Sequence, residues 1–443
     1  MQAPHLRLKS INKIMRKPRV LMLGWEFPPE ISGGLGIANY NLCKALSSLT
    51  DLTIILPKAD PDLKIPNVKI VDLSRIKLET HFEKEELKEF EKIVKEKKIE
   101  FNISPYPQKR EVIHDKVTKI KATTKTRQIV EVHNQFSRSD LYGVDVFEKV
   151  NYYTEIVKRI AANLSFDIIH VHDWMTCPAG IMLKEVSGKP LVLHIHSLNY
   201  DRLGPEKIDW IYKIEKKALR KANLIIPVSQ YTGNIIREFY KISPRKIFPV
   251  HNGIEDVKPF KSQKNFPEKL ILFLGRVTMQ KGPEFFLEAA TRIIENNEQV
   301  RFVVAGKGDK LQEIIESGAY SELRHKIHFT GFLKRSEVQY ILSITDIFCM
   351  PSVSEPFGLT ALEAAQFGIP VILSKRSGAA EVLNGALTVD FWDTEKMAEL
   401  IQKLLTDKKL YKACVEQGYR DLKKLTWAES ARKIQLLYTK LLE

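Results

Sequence analysis

Two glutamates, Glu355 and Glu363, lie eight positions apart in the stretch SEPFGLTALEAAQFGIPV at 354–371, and their spacing could do chemistry. Glu355-Pro356 cannot be helix interior, because a proline holds the residue before it extended. Gly358-Leu359-Thr360 then opens a short helix whose apolar face is Leu359, Leu362 and Ala365. Gly368 stands where a C-terminal cap belongs, and Pro370 follows it. A helix N-terminus offers unpaired amides and partial positive charge, which together bind phosphate. Glu355 can reach one end of a ligand seated there and Glu363 the other. A nucleotide sugar has this shape: sugar hydroxyls, diphosphate, ribose hydroxyls. Arg276 and Lys281, in the loop GRVTMQKG at 275–282, follow one strand end and can converge on a diphosphate. Arginine would bind it bidentately and lysine as a point charge. By spacing alone, the carboxylates also fit solvated helix charges and the cations fit an ordinary surface.

Near the other end of the chain, ISGGLG at 31–36 follows the strand-like run RVLMLG. Gly33 and Gly34 let backbone amides approach a phosphate or sugar closely; a structural turn is the alternative. Asn39 replaces the last small residue of a dinucleotide fingerprint, and no glycine loop is followed by Lys-Ser or Lys-Thr. A nicotinamide site and a P-loop are therefore rejected. Two His-x-His pairs, His170/His172 and His194/His196, lie near strand ends. No cysteine or further carboxylate completes a metal set, so packed core histidines are expected among them. Asp173 and His196, at or past the strand ends, are the functional candidates. Asp60-Pro-Asp62 matches a metal-binding Asp-x-Asp but sits in a proline turn, and a surface turn is expected.

The elements that must position these residues read as α/β. Strand, glycine loop, helix and strand over 19–56 open a doubly wound domain. Strands at Asp167–Val171, Leu191–Ile195 and Leu224–Val228 extend it, with helices at Ile37–Leu49, Val146–Leu164, Ile208–Lys221 and from Ser229 to Tyr240. Residues 74–101 read as a charged helix and 110–135 as β-hairpins, an insertion spanning about 74–145. The polar turn His251-Asn-Gly-Ile254 marks a boundary. Strands at Leu270–Leu274, Val300–Ala305, Ile327–Phe329 and Asp346–Met350 repeat the pattern beyond it. The expected domains are 1–250, completed by 425–443, and 251–424. The last helix, Trp427 to Leu441, has apolar residues at helical spacing and needs a surface to bury them.

At 443 residues, 44% hydrophobic and 28% charged, the composition is that of a globular chain of two or three domains. No apolar run approaches the roughly 18 residues that span a bilayer, and no secretory signal is visible, so no membrane partner is expected. Residues 1–17 read as a loose basic extension, with Met15 an alternative start. Cys43, Cys177, Cys349 and Cys414 are far apart in apolar surroundings, which suits buried thiols in a reducing cytoplasm. The net charge of +15 is spread along the chain without a nucleic-acid motif, so nucleic acid is not an expected partner.

Taken in order, ISGGLG (31–36), HDW (172–174), HIHSL (194–198), HNGI (251–254), GRVTMQKG (275–282) and SEPFGLTALEA (354–364) resemble the motifs of retaining GT-B glycosyltransferases. The insertion and LYGVDVFEKVNYYTEIV at 141–157 narrow the resemblance to the glycogen and starch synthases. It covers nearly the whole chain. It implies a GT-B fold: two Rossmann-like doubly wound domains facing across a cleft, with the C-terminal helix crossing back to the first. It also implies transfer of glucose, with retention, from UDP-glucose or ADP-glucose to an α-1,4-glucan, and neither cofactor nor metal. Ile31 stands where bacterial synthases carry a donor-binding lysine, so the choice of base is open.

Carried over, the resemblance implies that Arg276 and Lys281 neutralise the diphosphate. Gly33, Gly34 and the amides of Gly358, Leu359 and Thr360 surround it. Glu355 binds glucose hydroxyls near the reacting carbon, Glu363 binds the ribose, and the Gly331-Phe332 loop borders the base. Asp173 and His196 line the sugar pocket, with His196 close to the anomeric centre. The alternatives are a retaining transferase with a small-sugar or lipid acceptor, and a catalytically silent glucan- or nucleotide-binding protein. Oligomeric state is not readable from the sequence.

Overall fold

The computed structural model describes residues 16–29, 31, 33–75, 79–83, 120–122, 127–131, 136, 141–143, 145–255, 257–295, 299–316 and 325–443. The basic extension before residue 16 and most of the stretch expected as a charged helix lie outside them.

Strands β1 (Arg19–Leu23), β2 (Asp51–Leu56), β3 (Val68–Asp72), β7 (Ile168–His172), β8 (Leu191–Ile195) and β9 (Leu224–Pro227) form a parallel sheet ordered β3-β2-β1-β7-β8-β9. The inner strands are near-continuous apolar runs because both faces are covered, whereas the edge strand β3, Val-Lys-Ile-Val-Asp, is only partly buried. Leu21, Leu23, Ile169, Val171 and Leu193 meet the helices Val146–Ala161, Asp173–Ser187 and Trp210–Lys221. Val20, Met22, Ile54 and Ile168 meet the helices Gly34–Leu46 and Trp427–Leu442 on the other face.

A second parallel sheet has the order β12-β11-β10-β13-β14-β15. Its strands are β10 (Lys269–Leu274), β11 (Val300–Ala305), β12 (Ile327–Gly331), β13 (Ile347–Met350), β14 (Val371–Ser374) and β15 (Leu387–Val389). Leu270, Leu272 and Phe348 face the helices Arg335–Ile344 and Leu359–Gln366. Ile271, Phe273 and Phe302 face the helices Pro283–Ile294 and Thr394–Thr406.

The insertion departs from expectation. Leu73–Arg75 is a 3-10 turn, and Glu79–Glu83 is strand β4 rather than helix. It pairs antiparallel with β6 (Arg127–Glu131), which also pairs with β5 (Ile120–Ala122), so the expected hairpin is present. The segment Glu-Thr-His-Phe-Glu carries charge, but a cross-strand partner outweighs its weak helix preference. Helix starts also shift. The first helix begins at Gly34, inside the glycine loop, rather than at Ile37. The helix expected from Ile208 begins at Trp210, because the Asp209 carboxylate accepts from the Tyr212 amide as its cap. All four cysteines are buried and free. Asp60–Asp62 is a surface turn in which Oδ1 of Asp60 accepts from the Asp62 amide at 2.9 Å.

The last helix buries Trp427, Ala431, Ile434 and Tyr438 against the first sheet, so the chain returns to where it began. The two crossing segments touch at Gly253, where any Cβ would run into the Thr426–Trp427 backbone. The Ile254 amide donates to the Leu425 carbonyl at 3.0 Å, and the Ser430 hydroxyl donates to the His251 carbonyl at 2.7 Å.

Candidate active site

In parallel sheets ligands bind beyond the carboxyl ends of the strands, and the candidate residues gather there. Strand β13 ends at Met350, and the turn after it carries Glu355 into the interior, only 5% exposed. The loop after β10 brings Lys281 to it: the ammonium donates to a Glu355 carboxylate oxygen, which also lies 3.3 Å from the Ser352 hydroxyl. The Glu355 amide donates to the Arg376 carbonyl at 2.9 Å, which fixes the turn against the loop after β14. Arg276 is half-buried beside the end of β10.

The helix Leu359–Gln366 starts from Gly358, whose φ of +102° is open to glycine. A Cβ there would also meet Met350 Cε at 2.9 Å and Glu355 Cγ at 3.2 Å. The helix therefore begins close against Glu355, with the amides of Leu359 and Thr360 in its first turn. Gly34 opens the first-unit helix, and a Cβ on it would lie 3.6 Å from Leu359 Cδ1. The glycine loop and this helix N-terminus thus meet across the cleft, with Gly33 half-buried beside them. Glu363 is half-buried on the same helix. Burial pushes its carboxyl up to about 7, with Arg335 pulling it down and Glu255 pushing it up. Phe332, past the end of β12, is 71% exposed.

From the first unit, Asp173 sits at the β7-to-helix junction with φ of +55°, a strained conformation for a non-glycine residue. Its Oδ1 accepts from the His196 amide at 2.7 Å and the Ser197 amide at 3.3 Å, tying the ends of β7 and β8 together. Burial raises its carboxyl to about 7, against those two amides. His196 is half-buried, and desolvation lowers it to about 3, so its ring is neutral.

Below His196 the other three histidines form a buried column. His172 Nδ1 is 2.9 Å from His196 Nε2, and His170 Nδ1 meets the Tyr438 hydroxyl of the last helix. Nitrogens of His170, His172 and His194 lie within 4.8 Å of one another. Their rings are stacked within 12–24° of parallel, and all three are buried. They pack as core, as expected for some of the four.

The structure adds residues that the spacing did not single out. Glu26 is buried at the end of β1, accepts from the Tyr142 hydroxyl, and helps push Asp173 up. Glu381 accepts from the amides of Gln230 (2.9 Å) and Tyr231 (2.6 Å) at a helix N-terminus of the first unit, and His251 Nε2 lies 2.7 Å from it. Ser354 reaches Asp201 and Tyr231. Glu26, just ahead of the glycine loop, was open to inference from its place at a strand end. The Asp201–Ser354 pair spans 153 residues and has no local pattern.

A sequence profile described as starch synthase catalytic domain matches residues 19–240, half of the chain, and one described as glycosyl transferases group 1 matches 255–421. The chain belongs to the glycogen and starch synthase family of GT-B glycosyltransferases. An uncharacterised glycosyltransferase of Methanocaldococcus jannaschii is 30% identical over 295 residues, 62% of this chain and 75% of that protein. The glycogen synthase of Mycobacterium tuberculosis is 24% identical over 401 residues, 88% of this chain and 86% of that one. The catalytic domain of starch synthase IV from Arabidopsis thaliana, solved with ADP and acarbose, superimposes with a TM-score of 0.66 at 17% identity. That superposition covers 96% of this chain and all of that domain. The GT-B fold is the two-sheet architecture described above, and the protein is a glycosyltransferase.

Proposed function

We propose that this glycosyltransferase is a glycogen synthase, transferring glucose with retention from UDP-glucose or ADP-glucose to the non-reducing end of an α-1,4-glucan. The observation that carries the reading is the starch synthase profile over 19–240; in this reading that unit holds the acceptor. The working units are 1–250 with 425–443, and 251–424.

In this reading Arg276 and Lys281 take up the charge of the departing diphosphate, and the amides of Gly358, Leu359, Thr360 and the Gly33-Gly34 loop hydrogen-bond around it. Glu355, oriented by Lys281, holds glucose hydroxyls beside the reacting carbon. Glu363 takes the ribose hydroxyls, and the Gly331-Phe332 loop edges the base. Asp173 holds the His196 turn in place, and neutral His196 hydrogen-bonds the sugar near its anomeric centre. The acceptor attacks on the face that the diphosphate leaves, and the leaving phosphate takes its proton.

The test offers labelled UDP-glucose and ADP-glucose, separately, with glycogen, sucrose-type and lipid acceptors in parallel. Label entering glycogen supports the reading. Nucleotide release with only a small or lipid acceptor overturns it, as does tight nucleotide binding without turnover.

A further inference from the structure

We propose that Asp201 is an interdomain positioning residue, which holds the Ser354–Glu355 turn in working geometry when the two units close on each other. Asp201 lies in the short helix Asn199–Leu203, just past the His196 turn of the first unit. It is 3% exposed and Ser354 4%. Oδ2 of Asp201 accepts from the Leu198 amide at 2.7 Å, within its own unit. Oδ1 accepts from the Ser354 hydroxyl at 2.5 Å, in the other unit. The Tyr231 hydroxyl, on the first-unit helix Gln230–Glu238, lies 2.9 Å from Ser354 Oγ. With Ser354 donating to the carboxylate, Tyr231 donates to Ser354, and each hydrogen in the chain is used.

The same turn is gripped from its own side. Gln280, the residue before Lys281, donates through Nε2 to the Ser354 carbonyl at 3.1 Å and accepts from the Val353 amide at 2.9 Å. Ser354 is therefore the point at which first-unit and second-unit contacts meet, one residue before Glu355. Asp201 feels Glu355 as a neighbouring charge. Among the described residues, this buried carboxylate has one oxygen served locally and the other served across the cleft, so both are satisfied together in the closed arrangement. Opening the cleft releases Ser354 and returns that oxygen to water. Closure would then set the orientation of Glu355 and Lys281, where misplacement of about 1 Å has large kinetic effects. The proposal rests on Glu355 belonging to the sugar site.

Asp201→Asn, Ser354→Ala and Tyr231→Phe in the full chain test it, with Glu355→Ala alongside. Turnover, donor KM, nucleotide affinity by calorimetry and thermal melting are measured for each. Asp201→Asn and Ser354→Ala are expected to lower kcat by about tenfold while nucleotide affinity stays within about twofold, since most groups proposed to hold the nucleotide, Arg276, Lys281, Glu363 and the Leu359 helix amides, belong to the second unit. The double variant is expected to be no worse than the weaker single, because both break one contact. Unchanged kcat in both singles overturns the proposal, as does multiplicative loss in the double or a parallel fall in nucleotide affinity and melting temperature. If Glu355→Ala keeps full activity, the sugar-site reading fails together with it. If Glu355→Ala abolishes turnover while the other variants keep it, the positioning role alone fails.

Discussion

Lys281 and Glu355 are joined by a direct hydrogen-bonded ion pair that links the loop after β10 to the turn after β13. Each is the other's ionic partner in a largely buried setting, so removing either leaves an uncompensated charge at the site. Glu355→Ala or Lys281→Ala is expected to lower turnover by about 10²-fold or more, the range for losing one positioned charge. The double variant should lose less than the product of the two. Steady-state transfer assays check this; near-normal activity in both singles would remove these residues from the site.

Gly358 has no tolerable replacement. Alanine there adopts a positive φ of +102° and pushes into Met350 and Glu355. Backbone strain of this kind amounts to about 1–3 kcal/mol. Gly358→Ala is expected to lower the melting temperature and to weaken nucleotide binding, read by calorimetry with UDP and ADP. A variant that melts and binds as the native chain does would contradict the geometry.

The histidine column gives a signed pH effect. Burial first, and neighbouring rings second, hold His170, His172 and His194 well below their ordinary value. A depressed folded pKa means that stability is present above the unfolded value of about 6.5 and is lost as pH falls below it. Each such imidazole is worth about 1.4 kcal/mol per pH unit, so about 2 kcal/mol by about pH 5. Asp173, Asp201 and Glu215 are raised by burial and act with opposite sign, but they are common to native chain and variant. The stability advantage of the native chain over His194→Phe should therefore shrink by about 2 kcal/mol between pH 7.5 and 5, measured by denaturant unfolding. An advantage that is constant with pH would mean that His194 is not held neutral.

Glu363 lies about one turn into the helix Leu359–Gln366. Glu363→Ala is expected to raise donor KM by about tenfold with little change in kcat, the pattern of lost uniform binding. A fall in kcat at unchanged KM would place it nearer the reacting bond.

The sequence exposed the scaffold because both sheets are parallel and buried on both faces. Runs such as RVLMLG and LILFLG have few other homes. Strand β8 at Leu191–Ile195 and β11 at Val300–Ala305 fall where the apolar runs place them. The return of the Trp427 helix to the first sheet followed from an apolar face that needed cover. The β4 strand was not legible, since its charged residues suit a helix as well and its partner strand is far along the chain, with Glu79 opposite Glu131. Glu355, Lys281 and the Gly358 turn could be found because their chemistry is local to short motifs. Glu381 on the Tyr231 amide and Ser354 on Asp201 could not, because each contact exists only once two distant segments have folded and met.

The central claim is α-1,4 extension of a glucan with retention. It is tested most directly by proton NMR of the product formed from a nucleotide-glucose labelled with carbon-13 at C1 and a short maltooligosaccharide. The account predicts label in new α-1,4 anomeric signals at the non-reducing end, growing with time. Label in a β-anomeric signal, or nucleotide release with no label on the oligosaccharide, would contradict it.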